Sequence, residues 1–415
     1  MTSVLFDQMS RPARLRRDLG ILSRVGLQKD GPFDRLAFSL RDLRARVVLS
    51  SLMCEAGMTV AADGFGNVIG TLAGSDPDAE PVVVGSHLDT VPRGGRFDGT
   101  VGIIGGLEIA RTLAAEAPQR RPLRLVMFVC EESSRFGMAT LGSRVVAGTV
   151  DPETLLALRD RDGATLGELV RPLGVDRTAI EQARWPAGSV HAYLELHIEQ
   201  GRVLEAAGIP LGVVTRIAAP TRMRVVIEGR QDHSGATPMG LRTDALCAAA
   251  EVVLAVEQEA RRVPEAVGTV GSCEVEPGAF NVVPGRVTLG IDVRCGDGVV
   301  KAGVVAAVIA RMDAVAARRD VRIRRTVISD DRPVPLDQGL VGLLEAACRA
   351  RGIPCLAMPS GAGHDAMEIA TMAPTGMLFV PSEDGVSHSP AEWTDPEQIA
   401  VGVDVMTDVV RDLRR

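Results

Sequence analysis

The segment Pro81-Val-Val-Val-Gly-Ser-His-Leu-Asp-Thr90 decides how this chain folds. Its apolar run, Pro81 to Gly85, lacks polar alternation, which is typical of a strand buried on both faces of a parallel or mixed sheet. The run is followed at once by His87 and Asp89, residue types that carry protons and bind metal ions. Such side chains directly after a buried strand indicate a functional site at one edge of an α/β sheet.

Strand and helix signals alternate on both sides of this segment and predict an α/β catalytic domain with a largely parallel or mixed sheet. The predicted elements are strands at 81–85, 123–129, 190–198 and 375–380, and helices at about 40–56, 100–115 and 396–413.

Between these stretches, residues 213–330 follow a different pattern. They read as strand, helix, two strands, helix and strand, the split-βαβ succession of a small two-layer domain. The elements are strands at 222–228, 268–275, 285–294 and 320–328, and helices at 242–262 and 300–317. We therefore predict a catalytic domain in two parts, 1–212 and 331–415, with the domain 213–330 inserted between them.

The composition excludes several classes of partner. A net charge of −7 and an aromatic content of 3% argue against nucleic-acid binding. No run of about 20 apolar residues suggests a membrane span. Seven scattered cysteines without a CxxC pair, and an N-terminus without an apolar run of signal-peptide length, predict a cytoplasmic protein with reduced thiols.

Several side chains that can bind metal ions lie at the ends of different predicted strands or in the segments that follow them, so we expect them to converge on one rim of the sheet. They are His87, Asp98, Glu131, Glu132, His197 and His388. Histidine and carboxylate ligands without cysteine suit zinc, or manganese, cobalt or nickel. Even when only one of the adjacent Glu131 and Glu132 binds, five ligands remain; they exceed the about three that one catalytic zinc uses, and they suffice for two ions when one carboxylate bridges them.

Each of these residues has an ordinary alternative when it is taken alone. Asp98 could belong only to a turn, the Glu131–Glu132 pair could be a solvated strand end, and His388 could be a loop residue. Their joint occurrence favours the metal site. The sequence contains no GxSxG nucleophile elbow, no phosphate-binding GxxxxGK[ST] loop and no HExxH motif. Cys130 is expected to be buried, and no other feature supports it as a nucleophile.

At these motifs the chain resembles the hydantoinase/carbamoylase branch of the aminoacylase-like dinuclear metallohydrolases. That branch includes N-carbamoyl-L-amino-acid hydrolases, β-ureidopropionases and allantoate amidohydrolases. The resemblance spans nearly the whole chain and rests on Arg35-Leu-Ala-Phe-Ser39, Gly85-Ser-His-Leu-Asp-Thr90, Gly94-Gly-Arg-Phe-Asp-Gly99, Leu196-His-Ile-Glu-Gln-Gly201, Thr237-Pro-Met239, Gly361-Ala-Gly-His-Asp365 and Ser387-His-Ser-Pro390.

The resemblance implies a mixed-sheet metallohydrolase catalytic domain with an inserted α+β lid and dimerisation domain, and hence a homodimer. It implies that the chain removes a carbamoyl group from an N-carbamoyl-L-amino acid or a similar small ureido acid. Allantoate hydrolysis, hydrolysis of another N-acyl amino acid or a dipeptide, and a catalytically silent ligand-binding relative are the alternatives. The chain has Glu131-Glu132-Ser133 where the family often has Glu-Glu-Gly, so the resemblance leaves the substrate open.

The resemblance also implies a role for each site residue. The two divalent ions would be held by His87 and His197, by Glu132 and His388, and by Asp98 as the bridge. Glu131 would be the general base, Asp89 would orient a ligand imidazole, and His233 would stabilise the oxyanion in its own or a partner's site. The substrate contacts would be Asn281 and Arg294 to the carboxylate, Gln200 to the scissile group, and Gly363 and His364 in the pocket wall.

Overall fold

The computed structural model describes residues 9–27 and 33–415. The expectation that the chain has no signal peptide rests in part on residues 1–8. These residues lie outside the described residues. The chain divides into two compact units. The first unit consists of the chain up to Thr215 together with Leu336–Met358 and Gly363–Arg415, and the second unit of Arg216–Pro335 and Pro359–Ala362.

The first part of the first unit alternates strands and helices. Its strands are β1 (Thr59–Ala62), β2 (Val68–Leu72), β3 (Val82–His87), β4 (Leu123–Phe128), β5 (Ala192–Ile198) and β6 (Leu211–Ile217). Its helices are α1 (Arg11–Gly26), α2 (Leu40–Glu55), α3 (Thr100–Ala114), α4 (Leu141–Ala147), α5 (Pro152–Ala157), α6 (Leu166–Val170), α7 (Arg177–Gln182) and α8 (Val203–Ala207). All residues of β3 and β5 are buried. The apolar run of β3 predicts this burial, whereas the alternating sequence of β5, with Glu195 and His197, does not.

The second unit has the predicted βαββαβ succession. Its elements are β7 (Ala219–Glu228), β8 (Asp232–His233), α9 (Ala245–Arg261), β9 (Val267–Glu276), β10 (Val282–Val283), β11 (Arg286–Cys295), α10 (Gly298–Arg319), β12 (Arg322–Asp330) and β13 (Val334–Pro335). An antiparallel sheet in the order β12-β7-β11-β9 packs its apolar face, including Val225, Ile227 and Leu289, into one core with α9 and α10. Both helices begin at aspartate N-caps, Asp244 and Asp297.

The last part of the first unit completes its sheet. Its elements are α11 (Gln338–Ala350), β14 (Cys355–Ser360), α12 (Asp365–Ile369), β15 (Thr375–Val380) and α13 (Pro396–Leu413). The strand order is β1-β2-β4-β3-β5-β15-β6, and β14 also pairs with β6. The central strands β4, β3, β5 and β15 are mutually parallel, whereas β2 and β6 are antiparallel to their neighbours.

The predicted mixed-sheet α/β fold is therefore confirmed. Because β3, β4, β5 and β15 run in the same direction, their carboxyl ends meet at one edge of the sheet, where open α/β sheets place their sites. Among the helices of the described residues, none has the length and hydropathy needed to cross a membrane.

Candidate metal centre

The predicted ligands lie at the edge of the sheet where the parallel strands end. His87 is the last residue of β3, His197 lies at the end of β5, and Glu131 and Glu132 follow β4 closely. Cys130, just before this acidic pair, has a left-handed backbone with φ of 59°. Gln200 and His388 share that conformation, with φ of 58° and 54°. Left-handed non-glycine backbone is costly, and its concentration here is typical of a functional site.

His87, Asp98 and His197 form the first of two donor groups, with ligand atoms within 4.8 Å of one another. The Nε2 atoms of His87 and His197 lie 3.9 and 3.3 Å from Asp98 Oδ1. The Nδ1 atoms lie 2.9 Å from the Asp89 carbonyl oxygen and 3.0 Å from the Ile198 carbonyl oxygen. Because a carbonyl only accepts, each Nδ1 carries the proton in the neutral imidazole, and each Nε2 keeps its lone pair. In His197 this lone pair accepts from the Gly99 N–H at 3.2 Å.

Asp98, Glu132 and His388 form the second donor group. His388 Nε2 lies 3.1 Å from Asp98 Oδ2 and 3.3 Å from Glu132 Oε1. These two hydrogen bonds raise the pKa of His388 to about 10. Burial alone would raise the pKa of Asp98, but the hydrogen bond from His388 and the nearby imidazoles hold it below its usual value. Asp98 therefore presents one oxygen to each donor group.

Glu131 is buried between the two groups, with Oε2 at 3.7 Å from His87 Nε2. Burial and the neighbouring carboxylates, Glu132 first, raise its pKa well above the usual range. The Glu131 and Glu132 backbone N–H groups donate to the two oxygens of Asp89, at 3.1 and 3.0 Å. Burial raises the pKa of Asp89 to about 8. The role predicted for Asp89, orienting a ligand imidazole, thus falls to its backbone carbonyl, which contacts the His87 ring. Its carboxylate instead binds the backbone N–H groups of Glu131 and Glu132.

Gln200 and His364 border the donor groups. Gln200 Nε2 donates to Asp98 Oδ2 at 3.0 Å, whereas Gln200 Oε1 is buried and has no hydrogen-bond partner among the described residues. The buried His364 ring packs edge-on against His197, with centroids 4.6 Å apart. Gly363 precedes His364, and a Cβ there would meet only the Met367 sulfur, at 3.5 Å.

Glu195, His197 and His364 form a further group of potential ligands within the first unit. Both oxygens of Glu195 are already occupied, however. Oε1 accepts from the Ser86 hydroxyl at 3.1 Å, and Oε2 accepts from the Tyr193 hydroxyl at 3.0 Å and the Ala366 N–H at 3.1 Å. This third group is therefore satisfied by the protein itself.

Three predicted site residues belong to the second unit. His233 and Asn281 are exposed and lie together: β8 pairs with β10, and the Asn281 carbonyl accepts from the Ser234 N–H at 3.1 Å. His233 Nδ1 accepts from the backbone N–H groups of Gly235 and Ala236, both at 3.1 Å. The Arg294 guanidinium forms a bidentate pair with Asp292 at 2.9 and 3.1 Å.

Comparison with known proteins decides the family. The model of Peptidase family M20/M25/M40 matches residues 83–412. The chain belongs to this family. It is 43% identical over 406 residues to an N-carbamoyl-L-amino acid amidohydrolase of Geobacillus stearothermophilus, covering 98% of this chain and 99% of that protein. An allantoate amidohydrolase of Bacillus subtilis is 33% identical over 395 residues, covering 94% and 95%.

A solved structure gives the same result for this M20-family chain. The crystal structure of an amidase of the hydantoinase/carbamoylase family from Burkholderia multivorans has a TM-score of 0.91 and 37% sequence identity. The match covers 97% of each chain. The resemblance inferred from the motifs is therefore confirmed.

Two buried residues at the M20-family site were missed by sequence reasoning. Arg35 is fully buried and donates to the carbonyl oxygens of Leu88 and Leu22, at 2.5 and 3.1 Å, and to the Thr100 hydroxyl at 2.9 Å. Glu392 is also buried and accepts from the backbone of the Asp98 loop. The signals that could have drawn attention to them are the place of Arg35 in the first motif and the position of Glu392 four residues after His388.

Proposed function

We propose that this chain is a metal-dependent amidohydrolase that removes the carbamoyl group from an N-carbamoyl-L-amino acid or a similar ureido acid. The observation that carries the proposal is the position of Asp98 in both donor groups, which is the arrangement that two bridged divalent ions require. The substrate class is supported by the Geobacillus relative, which covers nearly the full length of the chain.

We propose two divalent ions per chain, with zinc expected and manganese, cobalt or nickel as alternatives. The residues fit such ions in two respects. The Nε2 atoms of His87 and His197 carry lone pairs and lie 3.9 and 3.3 Å from Asp98 Oδ1, and that of His197 also accepts from the Gly99 N–H. The buried carboxyl groups of Asp98, Glu131 and Glu132 lie close together, and buried negative charges need a compensating cation. When bound, the ions would lower the pKa of a water molecule and polarise the scissile carbonyl.

Glu131 is the proposed general base. Its carboxylate would accept a proton from the attacking water and return that proton to the leaving nitrogen. Its burial supports this role, because a raised pKa brings a carboxyl group closer to the operating pH. Gln200 supports the ureido substrate: its buried amide oxygen, without a partner in the described part of the chain, can accept from a substrate N–H group.

The second unit is proposed to complete the site. Arg294 and Asn281 would hold the substrate carboxylate, and His233 would stabilise the oxyanion, either in its own chain or across a homodimer. Asp292 fixes the plane of the Arg294 guanidinium, which leaves N–H groups directed away from Asp292 for a carboxylate. The net charge of −7 supports a small molecule rather than nucleic acid as partner. All seven cysteines are free thiols, which supports a cytoplasmic location.

The test is ammonia release from metal-stripped protein reloaded with zinc, manganese or cobalt. The panel contains N-carbamoyl-L-amino acids, β-ureidopropionate, allantoate and N-acetyl-L-amino acids, the last followed by amine release. We expect metal-restored ammonia release from an N-carbamoyl-L-amino acid. Preferential turnover of allantoate would favour the second candidate, which the Bacillus subtilis relative supports. Turnover of the N-acetyl series alone, with two metals bound, would contradict the carbamoyl assignment.

A further inference from the structure

Glu392 joins the two chain segments that supply the second donor group. Its Oε1 accepts from the backbone N–H groups of Phe97 and Asp98, at 2.8 and 3.0 Å. Its Oε2 accepts from the Ser387 hydroxyl at 3.0 Å, next to His388. The side chain is 1% exposed, so its hydrogen bonds do not compete with bulk water. One carboxylate thus fixes the backbone of both Asp98 and the segment that carries His388.

Gly95 makes room for this carboxylate. A Cβ built on Gly95 would lie 2.0 Å from both Cδ and Oε1 of Glu392. Its φ is not among the left-handed angles of the chain, so the close approach, rather than backbone conformation, requires the glycine. Any larger residue would push the Glu392 carboxylate away from the Phe97 and Asp98 N–H groups.

The same carboxylate fixes the direction of a hydrogen-bond chain. Ser387 has a single hydroxyl proton and two carboxylate acceptors, Glu392 Oε2 at 3.0 Å and Asp98 Oδ2 at 3.5 Å. The shorter contact assigns the proton to Glu392. The Ser387 oxygen then accepts from Gln200 Nε2 at 3.3 Å, and Nε2 also donates to Asp98 Oδ2 at 3.0 Å. With both Nε2 contacts fixed, the Gln200 amide cannot rotate without losing them, and its unpaired oxygen keeps its direction.

We propose that Glu392 is a positioning residue that sets the bridging position of Asp98 and the orientation of the Gln200 amide. The inference rests on the proposed metal centre. Glu392 belongs to none of the groups of potential metal ligands among the described residues, whereas Asp98 belongs to two of them. The loss of Glu392 should therefore shift Asp98, while His87 and His197 of the first group stay in place, so the second group should lose its ion first.

The experiment compares Glu392→Ala, Glu392→Gln, Gly95→Ala and the Gly95→Ala/Glu392→Ala double variant with the wild type. Glu397→Gln, an exposed glutamate in the first turn of α13, is the matched control. Metal per chain is measured after gel filtration, together with the visible absorption spectrum of the cobalt-loaded protein, kcat, KM and the thermal midpoint.

We expect Glu392→Ala to lower the metal content from two ions per chain towards one, to change the cobalt spectrum, and to lower kcat by about 10–100-fold. Glu392→Gln should keep two ions and kcat within about tenfold of the wild type, since the amide oxygen can still accept from both backbone N–H groups. Gly95→Ala should resemble Glu392→Ala. The double variant should be no worse than Glu392→Ala alone, because the added methyl group then has space.

A Glu392→Ala variant with wild-type metal content, cobalt spectrum and kcat would overturn the inference, even if its thermal midpoint fell. Additive effects of the two single substitutions would overturn it as well. A wild-type chain that binds two ions but cleaves no ureido substrate would contradict the proposed function, while the metal content and cobalt spectra would still decide the role of Glu392. A wild-type chain that binds no metal would contradict both.

Discussion

Replacing Asp89 by asparagine tests how the Asp89 carboxylate, after β3, holds the backbone of Glu131 and Glu132, after β4. Each Asp89 oxygen accepts one backbone N–H, from Glu131 and from Glu132. An asparagine side chain has one acceptor oxygen and one donor NH2 group. In either orientation, one of the two buried backbone N–H groups faces a donor and loses its partner.

The expected cost follows from that single lost bond. A buried backbone N–H that is left without a partner costs about 1–3 kcal/mol. Because a single N–H loses its partner, we expect the free energy of unfolding to fall by about 1–3 kcal/mol. Typical domains have about 5–15 kcal/mol of stability, so the variant should still fold.

The assay is urea unfolding of the metal-free protein followed by tryptophan fluorescence. The chain has two tryptophans, Trp185 and Trp393, and both lie in the first unit, so the signal reports the unit that contains Asp89. An unchanged unfolding midpoint for Asp89→Asn would refute the reasoning.

A second readout separates the carbonyl and the carboxylate of Asp89. Because the His87 ring contacts the carbonyl, which the substitution retains, the first donor group should keep its metal and the group containing Glu132 should weaken. The cobalt spectrum of Asp89→Asn should therefore resemble that of His388→Ala. A spectrum that resembles His87→Ala instead would show that the carboxylate orients the imidazole.

Three further substitutions test the same site. Gly99→Ala should lose the metal of the first donor group, since Gly99 has φ of 62° and a Cβ there would lie 2.4 Å from His87 Nε2. Metal analysis checks this prediction. The control is Gly20→Ala, because a Cβ on Gly20 would have no atom within 4 Å. Arg35→Met should lower the free energy of unfolding by about 3 kcal/mol or more in the same urea assay, because buried acceptors including the Leu88 carbonyl lose a charged donor. Glu131→Gln should abolish turnover in the ammonia assay while metal content stays near that of the wild type, and retained turnover would contradict the base assignment.

The sequence predicted the parts of the fold that carry strong burial patterns. The sequence of β3 begins with an uninterrupted apolar run, and that of β4 is apolar except for Arg124. The helices α9 and α10 follow the helical period over 17 and 22 residues. The short helices α4 to α8 were not predicted, because segments of five to seven residues are too short to show a period. The strands β1, β2, β6 and β14 were also missed. The four residues of β1 are mostly exposed and carry no apolar signal. The helices α1 and α11, of 16 and 13 residues, were missed as well.

For the site residues, too, prediction succeeded only where the sequence carries a clear signal. Residues that act through their own side chains at strand ends, such as His87 and His197, could be recognised from residue type and position. The Glu392 and Arg35 side chains bond to backbone N–H and carbonyl groups, which every residue has, so the residue types of their partners do not reveal these contacts. The separate contacts of the Asp89 carbonyl and carboxylate could not be predicted either, because the carboxylate accepts two hydrogen bonds from the chain after β4.

The most direct test of the central claim is a crystal structure of the zinc-loaded protein with anomalous diffraction measured above and below the zinc absorption edge. The shared position of Asp98 predicts two anomalous peaks about 3.5–4 Å apart, with one Asp98 oxygen at each. His87 and His197 should ligate one ion, and Glu132 and His388 the other. A single peak, or a pair of peaks that does not share Asp98, would contradict the dinuclear centre and the hydrolytic function proposed from it.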